Sequence, residues 1–173
     1  KGAPVDAGLG LVVQQMALGL GKGESGSGVM QLVNSSTGER KITGRYMSQS
    51  QGREALTQGA DALFLERDPR GPSLEELAPN AFAELKDHTR LMRQRRREEM
   101  QAEFTIENGK LFLLDGIRVA RTARAAVAIA VALAEDKIIS HEEALLRIEP
   151  RALNELLHQQ VDPNARRDVM ARG

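Results

Sequence analysis

The sequence contains no cysteine, which excludes disulfide frameworks, thiolate zinc sites and cysteine nucleophiles together. A chain without thiols suits a reducing compartment, so a cytoplasmic location is expected. Three histidines leave little material for a metal cluster. Tryptophan is absent and aromatic residues make up 3%, so stacking platforms for single-stranded nucleic acid and aromatic sugar-binding faces are poorly supplied. Neither charge is in excess: 24 Lys and Arg stand against 24 Asp and Glu, which removes the field that a strongly basic nucleic-acid binder needs. No apolar run approaches the roughly 20 residues that span a bilayer, so no membrane partner is expected. The chain has 41% hydrophobic and 28% charged residues over 173 positions, the composition of a soluble globular protein with one domain, or one domain and an appendage. It begins at Lys1 with neither a Met nor a signal-peptide pattern, as expected of a segment of something longer.

What is present reads as follows. Gly10 to Leu18 is rich in Leu and Val and predicts a strand, Gly19 to Gly28 a glycine-rich loop, and the apolar residues from Val29 a second strand. Ser35 to Glu39 is a turn by composition, and alternation from Ile42 to Met47 predicts a third strand crossing back in a β-meander. Gln49 to Pro72 reads as a long irregular connection. Ser73 followed by Glu76 is a capping signature that opens a long helix running to about Met100, with Pro79 near its first turn or at a break. The end of that helix carries Arg93, Arg95, Arg96 and Arg97 before Glu98 and Glu99. One reading is a phosphate- or nucleic-acid-contacting patch; the other is a solvated face with Arg95 paired to Glu98 or Glu99, which zero net charge and the lack of interleaved aromatics favour. Asn108-Gly109 between Glu103–Glu107 and Lys110–Leu114 predicts a β-hairpin. The alanine-rich run past Thr122 predicts a closely packed helix, Ser140 caps another, Pro150 opens a third, and the polar tail from Val161 to Gly173 reads as a linker.

The order of pieces is specific: GESGSGV, then STGE, SQGRE, a helix, EFTIENGKLFLL, ARTA opening an alanine-rich helix, and SHEEALLRIEPRALNELLH. From about Leu11 to Asp162 it resembles the nucleotide-binding part of pyruvate phosphate dikinase, in the segment forming the second lobe of its ATP-grasp module and the helices that follow. The resemblance implies an α+β fold: an ATP-grasp-like second lobe, with an antiparallel sheet and a long helix, over residues 1–119, then a helical segment and linker tail over 120–173. It also implies ATP and Mg2+ as cofactors. The partners it implies are a first ATP-grasp lobe and a phosphohistidine domain, neither of which lies in this sequence.

Phosphoryl transfer from ATP needs metal-bridging carboxylates and cationic or amide donors around the transferring group. By the resemblance, Glu103 is a metal ligand, while the family's aspartate two residues earlier is Gln101 here. The family's Gln-Thr-Arg at the end of the second hairpin strand becomes Asp115, Gly116 and Ile117. Isoleucine offers no guanidinium fork, and an aspartate beside a polyphosphate adds repulsion. Arg118 or Arg121 is a substitute for the lost arginine; a second family arginine is Val33, within Leu32 to Ser35. In the glycine loop, Gly26 and Gly28 would let backbone N–H groups approach phosphate, with Ser25 and Ser27 as hydroxyl donors, Lys22 as a charge and Glu24 at a family acidic position; the structural alternative is a hairpin connection. His141 and His158 are conceivable phosphoryl acceptors but sit in helix contexts that explain them, and His88 reads as a surface side chain. Glu142 and Glu143 suit a first helical turn.

Two functions follow. One is a fragment of a pyruvate phosphate dikinase-like phosphotransferase whose lobe binds ATP and magnesium. The other is a catalytically degenerate relative that keeps the fold as a regulatory or interaction module, binding no cofactor; the residues at Gln101, Val33, Asp115 and Ile117 favour it for mechanism. The helices after Ala120 also offer a close-packing face for an oligomer.

Overall fold

The computed structural model describes residues 10–50 and 62–157. Four strands, β1 (Gly26–Val33), β2 (Arg40–Ser48), β3 (Met100–Glu107) and β4 (Lys110–Arg118), form one antiparallel sheet in the order β2-β1-β3-β4. Helices α1 (Leu74–Leu77) and α2 (Pro79–Arg96) connect β2 to β3, and α3 (Ala123–Glu135), α4 (His141–Leu146) and α5 (Pro150–Leu157) follow β4. The fold is therefore mixed α/β. It is not a simple meander, because β3 returns from α2 to pair with the free edge of β1.

Alternation decides what each strand faces. Met30, Tyr46, Ala102, Phe104, Ile106 and Leu111 project toward α1 and α2, where Leu74, Ala81, Phe82 and Leu85 close a core. Burying each large side chain there stabilises the fold by about 1.5–3 kcal/mol. Tyr46 and Phe104 stack with centroids 6.1 Å apart, over the space left by Gly26 and Gly28. A Cβ on Gly26 would stand 2.6 Å from the Tyr46 hydroxyl, and one on Gly28 would stand 2.8 Å from Phe104 Cζ. A second core joins Val33 and Val119 to Ala125, Ile129, Leu133, Ile139 and Ala144. The Ser36–Glu39 turn docks on α3: Thr122 Oγ1 donates to the Ser36 carbonyl at 2.7 Å while accepting from the Ala125 N–H, capping the helix.

Several expectations need correction. No strand forms among residues 10–25; Leu11, Val12 and Val13 are 84–87% exposed, and an apolar run without a neighbouring ladder has no partner for its backbone. The glycine loop ends at Ser25, since Gly26 to Gly28 belong to the central strand. The long helix breaks at Ala78 (φ −141°, ψ 67°), restarts with Pro79 at its first position, and ends at Arg96 because Arg97 turns left-handed (φ 56°). Met100 therefore opens β3 instead of closing a helix. Arg95 has no ion pair with Glu98 or Glu99; Arg93 pairs with Glu99 and, at 2.8 Å, with Asp136, and Arg97 pairs with Glu143. Within the long connection, Leu63 bridges to Tyr46 and Phe64 to Ser73. The Asn108-Gly109 hairpin, the cap at Ser140 and the helix opened by Pro150 form as expected. His158 and the tail 161–173 lie outside the described residues.

Candidate functional site

The sheet face turned away from α2 carries the polar residues that the core excludes. Register sets them in rows across β2, β1, β3 and β4: Met47, Ser27, Thr105 and Phe112; then Arg45, Val29, Glu103 and Asp115; then Thr43, Gln31, Gln101 and Ile117. Beside the third row lies a depression of about 290 Å³ lined by Gln31, Thr43, Gln101 and the Asn34–Ser36 turn.

The middle row holds the most informative juxtaposition. The Asn-Gly turn sets Glu107 opposite Lys110, and regular pairing from there would bring Leu114 opposite Glu103. A bulge intervenes between Phe104 and Glu103, so Asp115 takes that place and its side chain shares the outer face with Glu103. Like charges directly opposite one another destabilise a sheet. Among the described residues no ion pair to either carboxylate is formed, and Asp115 accepts the N–H of Gly116 at 2.7 Å. Among the described residues no group of three or more His, Cys, Asp or Glu could hold a metal alone. A pair of carboxylates fits a cation that completes its shell with phosphate oxygens and water, as Mg2+ does.

The other expected site residues lie elsewhere. Gly26, Ser27 and Gly28 pair with strands on both sides, so their N–H groups serve the ladders. Ser27 Oγ contacts the Ser50 carbonyl at 3.1 Å and Thr105 Oγ1 at 2.9 Å; Ser25 Oγ donates to the Gly23 carbonyl and accepts from the Asn108 N–H. Glu24 accepts from the Tyr46 hydroxyl at 2.7 Å and from Ser48 at 3.1 Å. Burial, reinforced by that carboxylate, pushes the Tyr46 phenol far above its ordinary range. Lys22 is exposed at the loop tip.

Arg118 sits one residue beyond Ile117, and strand alternation turns it to the opposite face. There it meets Glu98 at 2.9 Å, and Arg121 grips the same carboxylate in a fork at 2.7 and 3.0 Å. Burial alone would push Glu98 up, but the Arg121 hydrogen bonds and the charges of Arg121 and Arg118 outweigh it and hold the carboxyl below its ordinary value. The structure thus brings Glu103 together with Asp115, and neither with Arg118 or Arg121. Sequence reasoning missed Asp115 as a partner of Glu103, since no signal in the sequence marks the bulge. It also missed the packing role of Gly26 and Gly28, for which glycine at alternate strand positions was the available signal.

No protein-family model matches the chain. Curated relatives do. The chain is 38% identical over 99% of its length to pyruvate, phosphate dikinase of Rhizobium meliloti. It is 38% identical over 94% of its length to that of Clostridium symbiosum, and 32% over 87% to pyruvate, phosphate dikinase 2 of Oryza sativa. It spans 16–20% of the length of these relatives. No described helix is long and apolar enough to cross a membrane.

Proposed function

Since this chain is a pyruvate, phosphate dikinase-like segment, we propose that its sheet is the second lobe of an ATP-grasp nucleotide site and that the outer face of that sheet receives the phosphates of ATP. The observation that carries the reading is the register pairing of Glu103 with Asp115. The resemblance expects an aspartate at Gln101 and an amide at Asp115; the two residue types have exchanged places. The carboxylate has moved from the same strand as Glu103 to the strand beside it, and the count of carboxylates is kept. Glu103 and Asp115 would hold Mg2+, which neutralises triphosphate charge, and the amides of Gln31 and Gln101 with the Thr43 hydroxyl would donate and accept around the depression beside them. Cations for the transferring group would come from a first lobe, the division falling near Val119 between sheet and helical segment.

A second reading is a nucleotide-responsive module without transfer. Ile117 at the arginine position favours it, as does the turning of Arg118 and Arg121 to the other face.

Two measurements separate them. Mn2+ titration followed by electron paramagnetic resonance, with ATP present, should show saturable binding that weakens about tenfold or more in Glu103→Gln and in Asp115→Asn, the effect of losing one charged ligand. Unchanged affinity in both variants would sink the site. Incubating the longest natural reading frame with Mg2+ and ATP labelled at the β and γ phosphates then decides mechanism: label on protein or pyruvate supports phosphotransfer, and its absence from a folded protein that binds Mn-ATP supports the second reading.

A further inference from the structure

Past the end of β4, where Arg118 turns to the face opposite Glu103 and Asp115, a cavity of about 540 Å³ is walled by Arg118, Arg121, Arg147, Arg151 and Glu149, with the start of α3 at Ala123. Its electrostatics are unbalanced. Arg118, Arg121 and Arg147 all converge on the one carboxylate of Glu98, at 2.9, 2.7 and 3.8 Å. Arg147 shares Glu143 with Arg97, so Glu143 cannot neutralise both. Among the described residues, five guanidiniums, of Arg97, Arg118, Arg121, Arg147 and Arg151, thus stand against three carboxylates, of Glu98, Glu143 and Glu149. Two of the guanidiniums are also fixed in place: the Arg121 side chain is only 11% exposed against Glu98, and Arg147 Nη1 donates to the Arg97 carbonyl at 2.6 Å. Planar forks held in this way are suited to tetrahedral oxyanions, which accept several parallel N–H bonds.

We propose that this cavity is a second anion site, separate from the nucleotide face, that binds a phosphoryl dianion, either free phosphate or the phosphate group of a small ester. The size of the cavity accommodates such a group with a short organic tail, and a charge near minus two would cancel the local excess. The site does not depend on Glu103 or Asp115, because neither lines the cavity.

The test is titration of the chain with inorganic phosphate at constant ionic strength, read by phosphorus NMR line broadening, with glycerol 3-phosphate as the ester and chloride as the control. Arg121 is too buried for a clean deletion, so Arg118→Ala and Arg151→Ala, both at exposed positions, are the variants. Saturable binding is expected, weaker by about tenfold in each variant, the effect of one charge-assisted hydrogen bond, and intact in Glu103→Gln. Tighter binding of the ester would assign the site to phosphate esters; equal or better binding of phosphate would assign it to the free ion. Absence of saturable binding, equal competition by chloride, or affinity unmoved in both arginine variants would overturn the proposal.

Discussion

Gly28 distinguishes a packing role from a phosphate-cradling role for the glycines before Val29, and Gly28→Ala is the decisive substitution. In the central strand, Gly28 lies opposite Tyr46 on one side and Phe104 on the other. A methyl group there would overlap the Arg45 carbonyl and stand 2.8 Å from Phe104 Cζ and 3.1 Å from Cε1. Phe104 cannot retreat: it is 1% exposed and stacked on Tyr46, itself fully buried. The strand must therefore shift against its own ladder. Overpacking of this kind costs about 1–3 kcal/mol, and with a backbone atom among the clashing groups we expect the top of that range, about 3 kcal/mol. In a domain of this size that lowers Tm by about 6–12 °C. With a urea m-value of about 1–3 kcal/mol/M the midpoint falls by about 1 M or more. Without tryptophan, the transition should be followed by far-UV circular dichroism. Gly10→Ala is the control, since no atom lies within 4 Å of the place its methyl would take. A Gly28→Ala protein unfolding at the wild-type midpoint would refute the packing argument. If Mn-ATP binding then also fell, the phosphate cradle would regain its place.

Other residues carry their own tests. Arg121→Ala removes the two-pronged partner of Glu98, which is 14% exposed, and should cost about 3 kcal/mol, the lower end for breaking a buried pair because Arg118 remains; a loss under about 0.5 kcal/mol by urea denaturation, the level of an exposed ion pair, would contradict it. Glu98 and Asp136 are both held below their ordinary values of 4.5 and 3.8 by arginines that outweigh burial. Their contribution is present above those values and is lost as pH falls through the lowered folded values, so stability should decline below about pH 4.5, and less steeply in an Arg93→Gln, Arg121→Gln protein; equal acid slopes in the two proteins would refute the assignment. Lys137 is held left-handed at φ 59° without an ion pair among the described residues, so Lys137→Gly should raise stability by about 1 kcal/mol in thermal unfolding, and a fall would refute the strain.

Much of this architecture is written locally. Asn108-Gly109 gives its hairpin because both residues take positive φ (50° and 80°), and Ser140 announces α4 by accepting from the Glu143 N–H. Strand order was not legible, because the pairing of β3 with β1 joins residues 70 to 80 positions apart and depends on how α2 carries the chain back. The Gly10–Leu18 expectation failed for the same reason: apolar composition supplies side chains for a strand but not a neighbour. At the candidate site, Glu103 was readable through the resemblance alone, whereas its partner was not. Counting back from the turn assigns Leu114, and only the bulge substitutes Asp115. Arg118 and Arg121 were readable as charges near the lost arginine, but their direction depends on strand parity and on Glu98 behind the sheet.

The two charge imbalances of the chain are separated by one strand. Asp115 and Arg118 both belong to β4, three residues apart, and alternation sends them to opposite faces. On one face two carboxylates stand in register with no ion pair to any arginine of β4; on the other, three guanidiniums share one carboxylate. Had β4 continued without its bulge, both residues would have exchanged faces: Leu114 would stand opposite Glu103, Asp115 would turn toward the helix side, and Arg118 would turn to the face of Glu103. The fold instead sets Asp115 beside Glu103, at a cost of a few tenths of a kcal/mol to about 1 kcal/mol for the opposed carboxylates alone. Local rules broken in this way are expected at functional or strained sites. The cation proposed for Glu103 and Asp115 and the anion proposed for the arginines are of opposite sign, so one ligand cannot serve both.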